Sequence, residues 1–207
     1  DGGLQSDGRS LYQRGRAQMA GGDLVAARHS FEMATERGYF AARIELAQLL
    51  SDPSGGMPDL PRALGLYEQA YRDGVMIAGF ELGALYEGGV SSDAHDQHST
   101  YLLAPDEALA WRWYGRAADA GEPNALARLG EREADLAHDA ADATQRNLHL
   151  LACFRFYAAA AERARREDWP DDAWRTWRYR RASLAHVLAL AGMMQEAAQE
   201  YAGVRAR

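Results

Sequence analysis

Lysine does not occur anywhere in this chain of 207 residues, so all 23 basic residues are arginine. A phosphate-binding loop ending in Gly-Lys-Ser/Thr, a lysine Schiff base and a Ser-x-x-Lys nucleophile each need a lysine amine, and the sequence excludes all three. The GxSxG and HExxH patterns of common hydrolases are also missing. We therefore predict that the chain is not an enzyme and needs no cofactor.

Cysteine is almost as scarce, since Cys153 is the sole thiol. One cysteine cannot form a disulfide within the chain, so cysteine usage does not settle the compartment. A free cysteine among apolar neighbours behaves as a small hydrophobic residue. We predict that Cys153 is a buried packing residue.

Long apolar runs are missing too, because none approaches the roughly 18 residues that a membrane span requires. We therefore predict no membrane span in this sequence. The chain begins at Asp1 and not at methionine, which indicates a missing upstream segment. The compartment stays open between periplasm and cytoplasm, and the missing methionine favours the periplasm.

A repeated pair of residues is the strongest positive feature. Five times a small residue is followed four positions later by an aromatic residue, and the aromatic residues stand 36, 47, 43 and 44 positions apart. This spacing indicates repeated units of supersecondary size. The five pairs are Ala27/Phe31, Ala63/Tyr67, Ala110/Tyr114, Cys153/Tyr157 and Ala197/Tyr201.

The residues after each aromatic predict how a unit folds. Positions i, i+4 and i+7 lie on one side of an α-helix, and a glycine just beyond them can take the left-handed conformation that ends it. Each unit is thus predicted to be helix, glycine stop, helix, with the aromatic side chain filling the space between successive pairs. The glycines follow the first three aromatics by seven positions, at Gly38, Gly74 and Gly121.

These residues resemble a known repeat family. The pattern is similar to the Sel-one-like repeat (SLR), with related tetratricopeptide-like forms around Phe31 and Tyr201. The resemblance weakens between residues 131 and 170, where we expect longer helices and a changed packing angle. The closest correspondence is carried by Ala78, Leu82, Gly83, Tyr86, Gly88 and Val90, and then by Ala110, Trp113, Tyr114, Ala117, Ala118 and Gly121.

The resemblance implies an all-α fold, a right-handed α-solenoid of antiparallel helix pairs with about four to five SLR or tetratricopeptide-like repeats. We predict one solenoid domain over residues 1–207. Its pairs are expected at 8–38, 39–74, 75–121 with an inserted loop at 88–105, 122–167 and 171–204.

Charge is distributed unevenly. Residues 1–144 hold 12 arginines against 23 acidic residues, a net charge of −11, whereas residues 145–207 hold 11 against 7, a net charge of +4. Arginines and aromatics alternate over 174–181, which is one style of nucleic-acid surface. However, Trp174, Trp177 and Leu184 share a helical face, which is more simply a core face, and we predict no nucleic-acid partner.

The inserted loop contains the one cluster that resembles a metal site, with His95, Asp96 and His98 beside Asp93. Imidazole and carboxylate groups are reasonable zinc ligands. The spacing lacks a fixed helical register, so a solvated loop is the preferred interpretation and a metal-dependent hydrolase is the alternative. Long loops between packed helices also contact partners, and the predicted loop contacts are Tyr101, Leu102 and Leu103.

The resemblance also implies which residues face the concave groove of the solenoid. Groove slots are expected two positions before the repeated leucine and two and five after it. Such a mixed surface suits a peptide or helix of another protein. The predicted groove residues are Tyr12, Arg16, Met19, Ile44, Gln48, Phe80, Glu87 and Glu131, with Ser51, Ala84, Ala127 and Ala134 in the same register.

The sequence therefore favours a non-catalytic, bacterial-type scaffold or adaptor that binds a protein partner in its groove. The partner is expected to be a protein such as a secreted effector or a component of an envelope complex. An alternative is an immunity or accessory protein that neutralises or chaperones a secreted effector. Assembly between copies, basic end to acidic flank, is a further possibility.

Overall fold

The computed structural model describes residues 2–53, 58–92, 100–170 and 175–190, and most of these residues are helical. This confirms the predicted all-α solenoid class. Within these ranges the nine helices are α1 (Gly2–Ala20), α2 (Leu24–Glu36), α3 (Ala41–Ser51), α4 (Leu60–Arg72), α5 (Ile77–Gly88), α6 (Glu107–Asp119), α7 (Pro123–Asp139), α8 (Ala143–Arg166) and α9 (Arg175–Leu190).

The predicted glycine stops lie where helices end. Gly38, Gly74 and Gly121 have φ angles of 76°, 92° and 86°, a conformation that glycine adopts without steric cost. In the next unit α8 continues past the expected position, and Asp168 takes the left-handed conformation with φ 56°. The expected longer helices are confirmed, since α7 has 17 residues and α8 has 24.

Helix starts are fixed by carboxylate caps. The side chain of Asp23 accepts a hydrogen bond from the backbone N–H of Ala26, and Asp59 and Asp142 cap α4 and α8 in the same way. Such caps satisfy backbone donors that have no partner inside the helix. Glu122 caps α7 while buried, and burial raises the pKa of its carboxyl group.

The inserted segment contains a short ribbon as well as a loop. Strand β1 (Val90–Ser91) pairs antiparallel with β2 (Tyr101–Leu103), with Val90 opposite Leu103. The turn into β1 passes through Gly89, which has φ 67°. Sequence reasoning anticipated a loop over 88–105 and missed this pairing, because two strands of two and three residues carry too little alternation to be recognised.

The repeated aromatic residues form the core. Phe31, Tyr67, Tyr114 and Tyr157 are each at most 2% exposed, as are the small residues that precede them. Phe31 packs with Ala42 and Leu46 of α3, and Tyr67 packs with Ala78 and Leu82 of α5. Phe31 and Tyr67 therefore join one helix pair to the next, as predicted; Tyr201 lies outside the described residues.

Internal contacts divide the chain into two compact units, residues 1–113 and 114–207. In the first unit, α1 packs on α2, α2 on α3, α3 on α4 and α4 on α5. In the second unit, α8 packs on both α7 and α9. Trp177 and Leu184 of α9 pack against the cluster of Ala127, Cys153 and Tyr157, which confirms their predicted core role, while Trp174 lies outside the described residues.

Neutralising one acidic side chain of α8 should produce a pH-dependent loss of stability. Glu162 accepts hydrogen bonds from Arg165 at 2.9 Å and Arg166 at 3.1 Å, and chiefly the bond from Arg165 lowers its pKa to about 2. An acidic group with a lowered folded pKa stabilises the fold above its unfolded pKa and loses that effect as the pH falls. Glu162→Gln should therefore lower the free energy of unfolding by roughly 0.5–1 kcal/mol at pH 7.

Urea unfolding of this variant at several pH values checks the expectation. The wild type and Glu162→Gln should converge between pH 4.5 and pH 2, where the carboxylate of the wild type becomes protonated. Glu36→Gln, at an exposed position at the end of α2, serves as the control. A difference that stays constant down to pH 2 would contradict the charge-based explanation.

Candidate functional site

A cavity of about 510 Å³ lies in the second unit between α7, α8 and α9. Three helices can surround such a space because the small residues Ala134 and Cys153 occupy positions where larger side chains would fill it. Its walls are partly apolar and partly charged. The described residues that line it are Arg128, Glu131, Ala134, Asp135, Cys153, Tyr157, Arg180, Ser183 and Leu184.

One carboxylate organises the charged wall. Glu131 Oε1 accepts a hydrogen bond from Arg180 Nη1 at 2.9 Å, and Glu131 Oε2 accepts one from Arg128 Nη1 at 3.3 Å. Arg180 Nη1 also donates to the Tyr157 hydroxyl at 2.5 Å. Two guanidinium groups thus share one carboxylate, and Arg180 is held at two points.

The floor of the cavity is neutral at physiological pH. Burial raises the pKa of the Cys153 thiol to about 12, and burial likewise raises the pKa of the Tyr157 phenol. The thiol is therefore protonated and is a poor nucleophile. The pKa of Arg180 is raised, chiefly by its hydrogen bond to Tyr157, so that this side chain stays charged. The arrangement is suited to recognition of a ligand.

Two of the predicted groove positions lie at this cavity. Glu131 and Ala134 line the cavity, whereas Ala127 of the same register is buried against Cys153 and Tyr157. The accessible face of α7 includes Arg128 and Asp135, one position away from two of the predicted slots. Sequence reasoning also missed the wall that α9 supplies. A possible signal was the spacing of Arg180, Ser183 and Leu184, which places them on one helical face.

One predicted groove residue of the first unit links two helices. The Tyr12 hydroxyl donates to Glu45 at 3.2 Å, which joins α1 to α3. Arg16 and Gln48 are exposed, whereas Ser51 is buried. Tyr12 and Met19 pack on the cluster around Phe31, and Ile44 packs on the cluster around Tyr67. All three side chains are half-buried, so they contribute to packing as well as to the surface.

Three further groove positions lie on α5. Phe80 and Glu87 are half-buried and both interact with other residues of the chain, whereas Ala84 between them is exposed. Their role in binding remains a prediction.

The predicted loop contacts belong to β2. Tyr101 is 59% exposed and Leu102 is 46% exposed, while Leu103 is half-buried. Leu102 borders a surface depression together with Arg28 and residues 58–61. Two large apolar side chains are therefore presented to solvent beside this depression, an arrangement that can contact a partner.

The predicted metal ligands His95, Asp96 and His98 lie outside the described residues. Among the residues that are described, no group of three or more histidine, cysteine, aspartate or glutamate side chains could hold a metal ion. No described helix combines the length and the apolar character that crossing a membrane requires.

The fold is an α-solenoid built of helix pairs, and its second unit contains a cavity lined by α7, α8 and α9. No family model matches the chain. It is similar to the Sel1-repeat-containing protein YjcO of Escherichia coli K12, with 29% identity over 96 residues. The matched segment covers 44% of this chain and 42% of that protein. The chain thus spans less than half the length of the curated relatives that it matches.

One solved structure supports the same fold. The backbone is similar to that of c5321, a protective antigen of uropathogenic Escherichia coli that displays an SLR fold. The similarity has a TM-score of 0.50 and 18% sequence identity, and it covers 91% of this chain and 39% of c5321. A Sel1 repeat protein of Oxalobacter formigenes matches 97% of this chain and 85% of its own length, at TM-score 0.48 and 14% identity. The repeat register, the curated relative and the solved SLR structure support the predicted resemblance to Sel1-like repeat proteins.

Proposed function

We propose that the chain is a non-catalytic scaffold that binds a protein partner through the groove face of α7 and α9. The cavity between α7, α8 and α9 carries this proposal, because it occurs at the predicted slots Glu131 and Ala134. Its volume of about 510 Å³ is sufficient for one or two side chains of a partner. The Sel1-repeat fold supports interaction with proteins in general.

The site is organised as a binding surface. A buried aromatic ring, an arginine held at two points and an apolar wall are features of interface centres, where aromatic and arginine residues contribute most of the binding energy. The exposed Tyr101 and Leu102 would provide a second contact region, in the first unit. The predicted groove residues Arg16 and Gln48 are accessible for the same purpose.

Filling the cavity should abolish partner binding. Ala134 lines the cavity, so Ala134→Arg places a long side chain inside it, whereas Ala182→Arg makes the same substitution at an exposed position of α9 that does not line it. The wild-type protein is used to capture partners from extracts of the organism that produces it. Each captured protein is then purified and titrated against the wild type and both variants. Ala134→Arg should weaken binding about tenfold or more, while Ala182→Arg should change it less than threefold.

Circular dichroism of both variants tests whether they remain folded. A purified partner that binds the wild type, Ala134→Arg and Ala182→Arg equally would contradict the placement of the site. Ala134→Leu, which fills the cavity without adding charge, should also weaken binding, and this separates the loss of space from a change of charge.

The narrower possibilities remain predictions from the sequence. An immunity or accessory role requires that the captured partner is a secreted effector whose activity this chain suppresses. A metal-dependent hydrolase would need His95, Asp96 and His98, and a stoichiometric metal ion lost together with activity would support it.

A further inference from the structure

We infer that the cavity between α7, α8 and α9 recognises an acidic peptide segment and that Arg180 binds one of its side-chain carboxylates. This inference rests on the proposed function and adds to it the chemical class of the partner segment. Three features of the molecule support it: the hydrogen bonds of Arg180, the lining of the cavity and the charge of the surrounding residues.

Arg180 is held by the protein at one of its three nitrogen atoms. Its hydrogen bonds to Glu131 and Tyr157 both leave from Nη1, and its guanidinium carbon lies 5.5 Å from the centre of the Tyr157 ring. Within the described part of the chain, Nε and Nη2 make no hydrogen bond or ion pair. A guanidinium group fixed in this way is preorganised, so a ligand need not immobilise it.

The two remaining nitrogens have the geometry that a carboxylate requires. Nε–H and one N–H of Nη2 point in parallel from the same edge of the planar guanidinium group, and a carboxylate accepts both hydrogen bonds at once. Ser183 also lines the cavity and can donate a further hydrogen bond through its hydroxyl group. Ala134 and Leu184 offer an apolar wall to the methylene groups of a glutamate or to an adjacent apolar residue.

The lining alone does not attract an anion, because Glu131 and Asp135 balance Arg128 and Arg180. The attraction comes from the surrounding surface. Residues 145–184 hold nine arginines and five acidic residues, a net charge of +4. Such a field draws acidic segments towards the surface and raises the rate of association, while Arg180 fixes the position of one carboxylate.

A peptide fits the surface better than a nucleic acid does. Binding of single strands relies on exposed aromatic rings on which bases stack. Trp177 packs against the core and lies 6.0 Å, between ring centres, from Trp169, so it is only partly accessible. Of the described aromatic residues of α9, Tyr179 alone is exposed, which leaves no row of stacking platforms.

The test uses a hexapeptide of four glutamates and two leucines, acetylated and amidated at its ends, and the same peptide with glutamine in place of glutamate. Calorimetric titration at low ionic strength should show binding of the glutamate peptide at least tenfold tighter than that of the glutamine peptide. Arg180→Gln and Arg180→Lys should each weaken binding of the glutamate peptide about tenfold, because neither side chain has the paired donors. Arg178→Gln removes the same charge from α9 outside the cavity and should cost less than threefold.

Ala134 tests the location, since it lines the cavity and takes no part in the hydrogen bonds of Arg180. Ala134→Leu, which leaves Arg180 intact, should also weaken binding of the glutamate peptide. Equal losses for Arg178→Gln and Arg180→Gln, tighter binding of a single-stranded RNA than of the peptide, or unchanged binding by Ala134→Leu would overturn the inference. If both peptides bind equally, or if neither binds while a captured partner still depends on Ala134, the inference fails and the proposed scaffold function stands.

Discussion

Replacing Tyr67 with alanine should lower the free energy of unfolding by about 3–5 kcal/mol, the range for an aromatic residue lost from a packed core. Tyr67 is 1% exposed and packs with Ala47 of α3, Ala78 and Leu82 of α5 and Trp113. Because it joins two helix pairs, its removal leaves a cavity that neither pair can close alone. Urea unfolding followed by circular dichroism measures the loss.

A matched substitution at the surface separates packing from chemistry. Tyr179 is 75% exposed on α9, so Tyr179→Ala should change the free energy of unfolding by less than about 0.5 kcal/mol. Tyr67→Phe keeps the ring and should retain most of the stability. If Tyr67→Ala cost no more than Tyr179→Ala, the repeated aromatics would not be the residues that join the repeats.

Replacing Gly89 with alanine should destabilise the first unit by roughly 2–4 kcal/mol. Gly89 follows α5 with φ 67° and ψ −176°, a conformation that is nearly confined to glycine. A Cβ atom there would lie 2.6 Å from the backbone oxygen of Leu103 and 2.8 Å from Pro105 Cδ. Neither neighbour is the end of a flexible side chain, so relief requires the ribbon of β1 and β2 to move.

A glycine-to-alanine substitution at another position should instead raise the free energy of unfolding. Gly65 lies inside α4, and a Cβ atom added there would meet nothing within 4 Å. Gly65→Ala should therefore stabilise the protein by about 0.5–1 kcal/mol, because alanine has less backbone freedom to lose in a helix. Thermal unfolding of both variants under identical conditions compares them. Equal destabilisation at the two positions would show that local crowding at Gly89 is not the cause.

Much of the fold follows from the sequence because its repeat combines three independent signals. Small residues, aromatics and glycines recur in one register, and the structure places Ala27, Phe31 and Gly38 in the expected roles. The helix pair over 122–167 and the greater length of its helices were also predicted, the latter from the weakening of the pattern between residues 131 and 170. The exact end of α8 was not, since Asp168 adopts a left-handed conformation that residue type alone does not predict.

Less of the candidate site could be predicted. Glu131 and Ala134 were predicted from a helical register on α7, and both line the cavity. The spacing of Arg180, Ser183 and Leu184 could have indicated only a shared helical face, because the contact of Arg180 with Tyr157 depends on how α9 packs against α8. Ala127 was predicted to face the groove but is buried. An error of one residue in the register rotates the predicted helical face by about 100°, which exchanges accessible positions for core positions.

The equivalence of successive contacts bears on how such a protein can change its length. Ala42 and Leu46 stand to Phe31 as Ala78 and Leu82 stand to Tyr67, each 36 positions further along the chain. A second copy of residues 39–74, inserted in tandem, would present to Tyr67 the same partners that Phe31 already has. Adding a whole repeat unit therefore requires no new type of core contact, and gene duplication alone could lengthen the protein.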